Sequence, residues 1–245
     1  LNEDVNEEWI SDKTRFACDC LRRQRLDKPY VRVDGALKPA SWDAAFVAIT
    51  PRMHGVDGST VAAIAGDQAD CEAMTALGAL MANLGSANMD CRQDGSKIDP
   101  SARAGYIFNT TIAGIENADA LLIVGSNPRV EAAILNSRIR KRFMEGDFPI
   151  GVIGEAADLR YDYEHLGTGP DALKAILDGS SSFASALKDA IRPMIILGQG
   201  ALASEDGAAI HELGYESSET YEIFSWSNAW TGQRVLHTDA ARVAG

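Results

Sequence analysis

One stretch decides the fold: Ala120-Leu121-Leu122-Ile123-Val124-Gly125-Ser126-Asn127-Pro128. Five consecutive apolar residues predict a strand buried on both faces, as in the centre of a parallel sheet. Gly125–Pro128 predicts the turn after it, and a helix is expected from about Val130 to Met144. Two further strands, Pro149–Gly154 and Pro193–Gly198, each begin with proline and end with glycine.

The elements around these strands complete an alternating pattern. Val61–Gly66 predicts another strand buried on both faces, followed by a helix from about Ala69 to Leu84 that stops at Gly85. Helices are also expected at Asp171–Leu177, with Pro170 in the first turn, and at Ser182–Ala190 with a serine cap. Strands that alternate with helices predict an α/β fold with a doubly wound, mainly parallel sheet.

The first 40 residues have a different character. Val31–Lys38 predicts a short hairpin, because its Asp34-Gly35 pair suits a two-residue turn. Ser41 then caps a helix over Trp42–Ile49, with Pro51 just past its end. We therefore predict the end of a preceding small β-containing domain over residues 1–40 and an α/β domain over 41–245 that is incomplete at its C-terminal side. The chain begins with Leu1 and an acidic stretch, so we expect a fragment of a longer protein.

Composition excludes several classes of function. The chain has 245 residues with 23 Lys+Arg against 35 Asp+Glu, a formal net charge of −12. An acidic average field repels nucleic acid and anionic membrane surfaces, so neither is an expected partner. No apolar run reaches the roughly 18 residues of a membrane-spanning helix, so no direct membrane insertion is expected.

The candidate site follows from the sheet. In an open parallel sheet, ligands bind beyond the carboxyl ends of the strands, which selects the loops after Ala65, Val124, Ile153 and Leu197. Gly125, Ser126, Asn127 and Pro128 form the strongest candidate, because glycine permits close backbone approach and free N–H groups near a helix start can hold phosphate. The pattern leaves both a nucleotide-type ligand and a plain strand-to-helix turn open. Gly198-Gln199-Gly200 is a weaker candidate.

Other reactive residues give little support for catalysis. No metal-ligand spacing joins the four cysteines or the four histidines, which are Cys18, Cys20, Cys71 and Cys91 and His54, His165, His211 and His237. Glu155 and Asp158 follow a strand without an evident acid–base partner. The basic residues Arg138, Arg140, Lys141 and Arg142 fit the end of a helix better than a docking patch, although a patch stays open.

Several motifs resemble a known family. These are Glu7–Phe16 (EEWISDKTRF), Asn109–Gly114 (NTTIAG), Asn136–Lys141 (NSRIRK), Tyr161–Gly167 (YDYEHLG), Met194–Asp206 (MIILGQGALASED) and Val235–Thr238 (VLHT). They resemble the large iron–sulfur subunit of the peripheral arm of respiratory complex I, the NADH:quinone oxidoreductase. Ser41–Ala45 (SWDAA) and the strand with its GSNP turn are similar to molybdopterin oxidoreductases more widely.

The resemblance implies a structural scaffold, a Rossmann-like domain of the molybdopterin oxidoreductase type without its own redox centre. Its iron–sulfur clusters would lie in the part of the subunit before Leu1, and no cofactor is expected in this chain. In active relatives a pterin–nucleotide cofactor lies against the turn that corresponds to Gly125–Pro128, which would be vestigial here. A cysteine, selenocysteine or serine ligates their metal; here that position falls near Gln93–Ser96, after Cys91, with only Ser96 as a substitute.

The resemblance also implies partners and a location. The partners would be other peripheral-arm subunits of complex I, at the inner mitochondrial or the plasma membrane, on the matrix or cytoplasmic side.

Two alternatives stay open. The chain would be part of an active molybdenum or tungsten oxidoreductase such as a formate dehydrogenase-like enzyme, or a separate nucleotide-binding α/β protein.

We expect Gly214 and the polar run after it to interrupt the C-terminal helix within His211–Asn228.

Overall fold

The computed structural model describes residues 2–4, 6–23, 25–66, 69–91, 95–99, 111–220 and 225–227. The strands are β1 (Tyr30–Val33), β2 (Ala36–Pro39), β3 (Ala63–Ile64), β4 (Met89–Asp90), β5 (Ala120–Val124), β6 (Ile150–Ile153), β7 (Glu164–Gly167), β8 (Pro193–Leu197) and β9 (Ser225–Ser227). The helices are α1 (Asp12–Phe16), α2 (Trp42–Met53), α3 (Cys71–Asn83), α4 (Pro128–Glu131), α5 (Ala133–Met144), α6 (Pro170–Leu177), α7 (Ala184–Asp189), α8 (Gln199–Leu202) and α9 (Gly207–Thr220). The motif residues Asn109, Thr110 and 235–238, with Gln93 and Asn228, lie outside the described residues.

A parallel sheet carries the larger part of the fold. Its order is β7-β6-β5-β8-β9, so the chain starts at the central strand β5, builds two strands to one side and then two to the other. Leu121 lies opposite Ile150 of β6 and Met194 of β8. This arrangement confirms the doubly wound, mainly parallel α/β class, and it confirms that the Ala120–Val124 strand is central.

Helices cover both faces of this sheet, which is why β5 and β8 are buried at every position. On one face, Leu122 and Ile195 pack against apolar side chains of α6 to α9 and the segment before α7. On the other face, Leu121 and Ile123 pack against Leu135 and Ile139 of α5. A strand with helices on both sides has no polar face, and this explains the continuous apolar run in the sequence.

The predicted hairpin is confirmed. β1 and β2 pair antiparallel from Tyr30 opposite Pro39 to Val33 opposite Ala36. Asp34 and Gly35 both have positive φ, 51° and 79°, as a type I′ turn requires.

The predicted end of α2 was wrong. The Ser41 cap is confirmed, with its side chain accepting from the Ala44 N–H, but the helix runs on to Met53 with Pro51 inside it. Pro51 has no N–H to donate to Val47 O, four residues before it. The carbonyls on either side of Val47 accept from side chains: Thr50 Oγ1 donates to Phe46 O at 2.9 Å and Arg52 Nη1 to Ala48 O at 2.7 Å.

The strand predicted at Val61–Gly66 was also wrong in length and burial. Only Ala63–Ile64 forms a strand, paired with Met89–Asp90 in a separate two-stranded sheet. Ile64 is 71% exposed, so the strand is not buried on both faces. The helix after it, α3, begins and ends within two residues of the prediction, and Gly85 follows with φ 70°.

Three helix details differ from prediction. The helix expected from Val130 is two helices, because Ala132 at φ −145° and ψ 64° separates α4 from α5. α7 begins after Phe183 without a side-chain cap, so the expected serine cap is absent. α9 runs through Gly214 to Thr220 without the expected interruption. Gly214 is buried, so the close packing of this helix, whose Ile210 lies in the core, outweighs the glycine's propensity cost of about 1 kcal/mol.

Within the described residues, no helix combines the length and apolar character needed to cross a membrane.

Candidate functional site

A cleft of about 530 Å³ opens at the carboxyl ends of β5, β6, β7 and β8. The strand order reverses between β5 and β8, and such a switch point is where open α/β sheets bind ligands. Three of the four predicted loops meet here, those after Val124, Ile153 and Leu197. The described residues of the loop after Ala65 do not line the cleft, because the strand before them belongs to the other sheet. Thr168–Pro170, after β7, line the cleft and were not predicted.

The GSNP turn is packed against the chain itself. Gly125 has φ +62°, and a Cβ atom built there would lie 2.6 Å from the backbone nitrogen of Ala201 in α8. A Cβ on Gly198 would lie 2.8 Å from the carbonyl carbon of Gly125, and one on Gly200 would lie 2.8 Å from its oxygen. The glycines of the two turns therefore serve close contact between the segments that follow β5 and β8. The sequence had predicted this close approach for a ligand.

Glu131 occupies two donors of the turn, the Asn127 N–H and the Ser126 hydroxyl. Its Oε1 accepts from the Asn127 N–H at 2.8 Å, and its Oε2 accepts from the Ser126 hydroxyl at 3.0 Å. The predicted anion-binding donors thus already hold a carboxylate, and it belongs to the same chain. Asn127 Oδ1 is buried without a hydrogen-bond partner, and Pro128 begins α4 and is buried. Pro128 is absent from the residues that line the cleft.

The charge around the cleft is negative. Glu131, Glu155 and Asp206 line it, and its described lining residues include no lysine, arginine or histidine. The basic residue of α4 is used elsewhere: Arg129 Nη1 lies 2.8 Å from Asp158 Oδ2 and also donates to the Asp158 carbonyl. A phosphate entering the cleft would meet carboxylates without a countercharge.

Cys91 and Ser96, the described residues of the predicted metal-ligand region that were singled out, do not line the cleft. Cys91 packs beside Ala65 and Met74 of a small separate cluster, and Ser96 is 4% exposed, yet neither residue lines the cleft. Lys97 ties this segment to α8 by donating from its backbone to Leu202 O at 2.9 Å. Gln93 lies outside the described residues.

Cysteines and histidines form no metal centre in the described part of the chain. The four cysteines are free thiols. Cys18 and Cys20, in the 3₁₀ turn Ala17–Leu21, donate their S–H groups to backbone oxygens of Arg15 and Ala17. His165 Nε2 lies 2.7 Å from Gly154 O, and His211 is buried. His237 lies outside the described residues.

The basic residues of α5 bind other segments of the chain. Arg142 donates to Ala118 O at 2.7 Å and stacks over Phe148, with 4.7 Å to the ring centroid. Arg140 donates to Arg160 O at 3.2 Å. Arg138 and Lys141 contact Glu7 and Glu116. The cluster therefore has structural roles within the molecule.

A buried polar network joins α5 to the segment before β7. The Tyr161 hydroxyl donates to Asn136 Oδ1 at 2.8 Å, and Asn136 Nδ2 donates to Leu159 O at 3.1 Å. Burial raises the pKa of Tyr161 well above its usual value, with a smaller contribution from Tyr163. The phenol is therefore a neutral structural donor.

The family model described as molybdopterin oxidoreductase matches residues 25–245. The chain belongs to the molybdopterin oxidoreductase family. A second family model, described as NADH-ubiquinone oxidoreductase NDSU1/NuoG-like, 4Fe-4S domain, matches residues 1–19.

The curated relatives of this molybdopterin oxidoreductase family member confirm the resemblance to complex I subunits. The chain is 43% identical over 245 residues to NADH dehydrogenase [ubiquinone] iron-sulfur protein 1, mitochondrial, of Solanum tuberosum, covering 100% of this chain and 33% of that protein. It is 43% identical over 250 residues to the NADH-ubiquinone oxidoreductase 78 kDa subunit, mitochondrial, of Neurospora crassa, covering 99% and 33%. It is 40% identical over 245 residues to an NADH-quinone oxidoreductase subunit of Rickettsia bellii, covering 100% and 36%. The chain thus spans about a third of the length of these relatives.

A solved structure shares the fold of this family member. The formyltransferase/hydrolase complex (FhcABCD) from Methylorubrum extorquens, in complex with methylofuran, aligns with TM-score 0.53 at 21% identity, covering 78% of this chain and 58% of that one.

A pterin–nucleotide cofactor, which the family's name implies, does not fit the described cleft. The turn donors are bound to Glu131, the glycine faces are covered by Ala201 and Gly198, and the lining is acidic. Sequence reasoning missed Glu131, although its position four residues after Asn127 on the following helix was a usable signal.

Proposed function

We propose that this chain is part of the large iron–sulfur subunit of NADH:quinone oxidoreductase, in which its α/β domain is a structural scaffold without its own redox centre. The parent reaction would be electron transfer from NADH toward quinone. The iron–sulfur clusters would be held by the part of the subunit that precedes the α/β domain.

The support for the parent subunit is the similarity, over the whole of this chain, to three curated relatives named as complex I subunits. The iron–sulfur clusters and the reaction in this proposal are taken from the names of these relatives. The match at residues 1–19 to a 4Fe-4S domain adjoins the molybdopterin oxidoreductase match, as expected if the two modules follow one another in this subunit.

The observation that carries the scaffold role is Glu131. Its carboxylate accepts from both Asn127 and Ser126, where a bound cofactor's anion would otherwise accept. Because the carboxylate belongs to the same chain, no second molecule has to be ordered to fill the turn. We propose that Gly125, Ser126, Asn127 and Pro128 are a vestigial cofactor turn whose present role is to join β5, α4 and α8. We also propose that the α/β domain begins at residue 41, directly after the β-containing segment that ends at residue 40.

As partners we propose the other peripheral-arm subunits of complex I. The location would be peripheral to the inner mitochondrial or the plasma membrane, on the matrix or cytoplasmic side. The charge of −12 favours neutral or basic surfaces on these partners.

The test is elemental and cofactor analysis of the parent subunit, purified in its native complex. Iron, molybdenum and tungsten are measured per subunit, and pterin is measured by the fluorescence of its oxidised form. A molybdenum oxidoreductase purified from the same culture is the control for metal supply. We expect several irons per subunit, with molybdenum, tungsten and pterin below about a tenth of stoichiometric.

Stoichiometric molybdenum or tungsten with pterin would refute the scaffold role and favour the formate dehydrogenase-like alternative. A separate calorimetric titration of the chain with mono- and dinucleotides is expected to give no heat. Saturable heat in that titration would favour a nucleotide-binding protein instead.

A further inference from the structure

The side chain of Arg138 is buried yet makes its contacts with the N-terminal end of the chain. It is 4% exposed, on a helix that packs against the sheet. Its Nε lies 3.1 Å from Glu7 Oε1 and its Nη1 lies 3.4 Å from Glu116 Oε1. Its Nη2 donates to the backbone oxygens of Glu3 and Asn6, the second at 2.9 Å.

These contacts surround the buried guanidinium with two carboxylates and two backbone oxygens, although its Nε has no hydrogen-bond partner. A guanidinium has five N–H donors and no acceptor, so its burial requires acceptors on several sides. Residues 2–4 and 6–8, which we call the acidic strap, supply two of the three hydrogen-bond acceptors, the backbone oxygens of Glu3 and Asn6, together with the carboxylate of Glu7. The contact between Nε and Glu7 is an ion pair without hydrogen-bond alignment, so it acts through charge.

The strap has little else to hold it. Among the described residues from 2 to 28, Glu7 alone is partly buried and the rest are exposed. Lys141 adds weaker charge, with its Nζ 3.9 Å from Glu7 Oε2 and a side chain that is 57% exposed. The attachment of the strap to the α/β domain therefore depends on Arg138.

This contact crosses the limit between the two family matches. The strap lies in residues 1–19, which match the 4Fe-4S domain, and Arg138 lies in residues 25–245, which match the molybdopterin oxidoreductase family. We propose that Arg138 is a positioning residue that clasps the acidic strap and thereby fixes the 4Fe-4S module on the α/β domain. The identity of the module rests on the proposed function, whereas the clasp rests on the contacts.

The test is hydrogen–deuterium exchange of the strap amides in the 245-residue chain. Glu7→Gln keeps the shape of the side chain and removes its charge, and Glu8→Gln is the matched control because Glu8 is exposed one residue away. Removing one partner of a buried ion pair leaves the other charge uncompensated, which corresponds to about tenfold or more in a local opening equilibrium. We expect Glu7→Gln to speed strap exchange by at least about tenfold, and Glu8→Gln by less than about twofold.

A second pair of variants tests Arg138 directly. Arg138→Met is expected to speed strap exchange at least as much as Glu7→Gln, because it also removes the hydrogen bonds to the backbone oxygens of Glu3 and Asn6. The double variant is expected to exchange no faster than Arg138→Met alone, because the contact between Arg138 and Glu7 is already lost in that variant. If Arg138→Met fails to fold, Glu7→Gln still decides, since Glu7 lies outside the core.

Equal exchange in Glu7→Gln and Glu8→Gln would overturn the clasp and leave the scaffold role standing. Molybdenum in the parent subunit would refute the scaffold role and leave the exchange result unchanged.

Discussion

The contact between the two glycine turns at the head of the sheet can be tested with three alanine substitutions. Gly125→Ala places a Cβ at positive φ and 2.6 Å from Ala201 N. Gly198→Ala has ordinary φ, with a Cβ 2.8 Å from the carbonyl carbon of Gly125. Gly179→Ala, just after α6, has φ +75° and nothing within 4 Å. The three variants separate backbone strain from steric overlap.

The magnitudes follow from these two terms. A left-handed backbone costs an L-residue roughly 1–2 kcal/mol, of which about 0.5 kcal/mol is offset because alanine restricts the unfolded chain. Ordinary contact begins at 3.4 Å, so the α8 backbone would have to move by about 0.8 Å at Gly125, and such overpacking costs about 1–3 kcal/mol. We expect losses of about 1 kcal/mol for Gly179→Ala, about 1–3 for Gly198→Ala and about 2–4 for Gly125→Ala.

The assay is urea unfolding followed by circular dichroism at 222 nm, with the free energy of unfolding taken from linear extrapolation. Circular dichroism is preferred because Trp9 and Trp42 are exposed and report poorly on the core. If Gly125→Ala loses no more stability than Gly179→Ala, the two turns are not in close contact. In that case the space above Gly125 is open to a ligand, and the turn is not closed by α8.

Three further predictions concern single side chains. Glu131→Ala should lower the free energy of unfolding by about 2 kcal/mol, because the Ser126 and Asn127 donors lose their acceptor. The control Glu145→Ala, at the exposed C-cap of α5, should change it by less than about 0.5 kcal/mol, and urea unfolding distinguishes the two variants. Tyr161→Phe should cost about 1–2 kcal/mol at pH 7 and should remove an alkaline loss. Because the pKa of Tyr161 is raised in the folded state, the wild-type phenol stabilises the fold fully below about pH 10, and above it the free energy of unfolding falls by about 1.4 kcal/mol per pH unit. Urea unfolding at pH 7, 10 and 11 measures both effects. Parallel losses in the wild type and the variant would contradict the buried hydrogen bond. Asp119→Ala should cost about 1–2 kcal/mol, since its carboxylate accepts from the N–H groups of Ile191 and Arg192 at 2.8 and 2.7 Å; thermal unfolding should show a fall of a few degrees, and an unchanged midpoint would contradict a role at the start of β8.

The strands of the large sheet could be predicted where burial was complete. β5, β6 and β8 are buried throughout, so their apolar runs were sufficient evidence. β7 was missed because it lies at the sheet edge, where Glu164 and His165 are exposed and no apolar run is required. At Val61–Gly66 the apolar run predicted a longer and more deeply buried strand than the structure has, because an apolar run does not show which element covers it.

The position of the candidate site followed from topology, but its contents did not. Gly125–Asn127 predicted free donors at a sharp turn, and those donors exist. What they bind depends on Glu131, one helical turn away, and no rule about strand-to-helix turns fixes that side chain. Arg138 is similar: it was interpreted as a helix-end cation, and its partners in the strap lie about 130 residues earlier in the chain.

The strand order has a consequence for how the sheet forms. Leu121 meets Ile150 after 29 residues of chain, but it meets Met194 only after 73. Closing the longer loop costs about 0.8 kcal/mol more in chain entropy, so β5, α5 and β6 are expected to associate before β8 arrives. The Gly125 turn then acquires its neighbour only when β8 docks, so its close contact with α8 is expected to form after the pairing of β5 with β6.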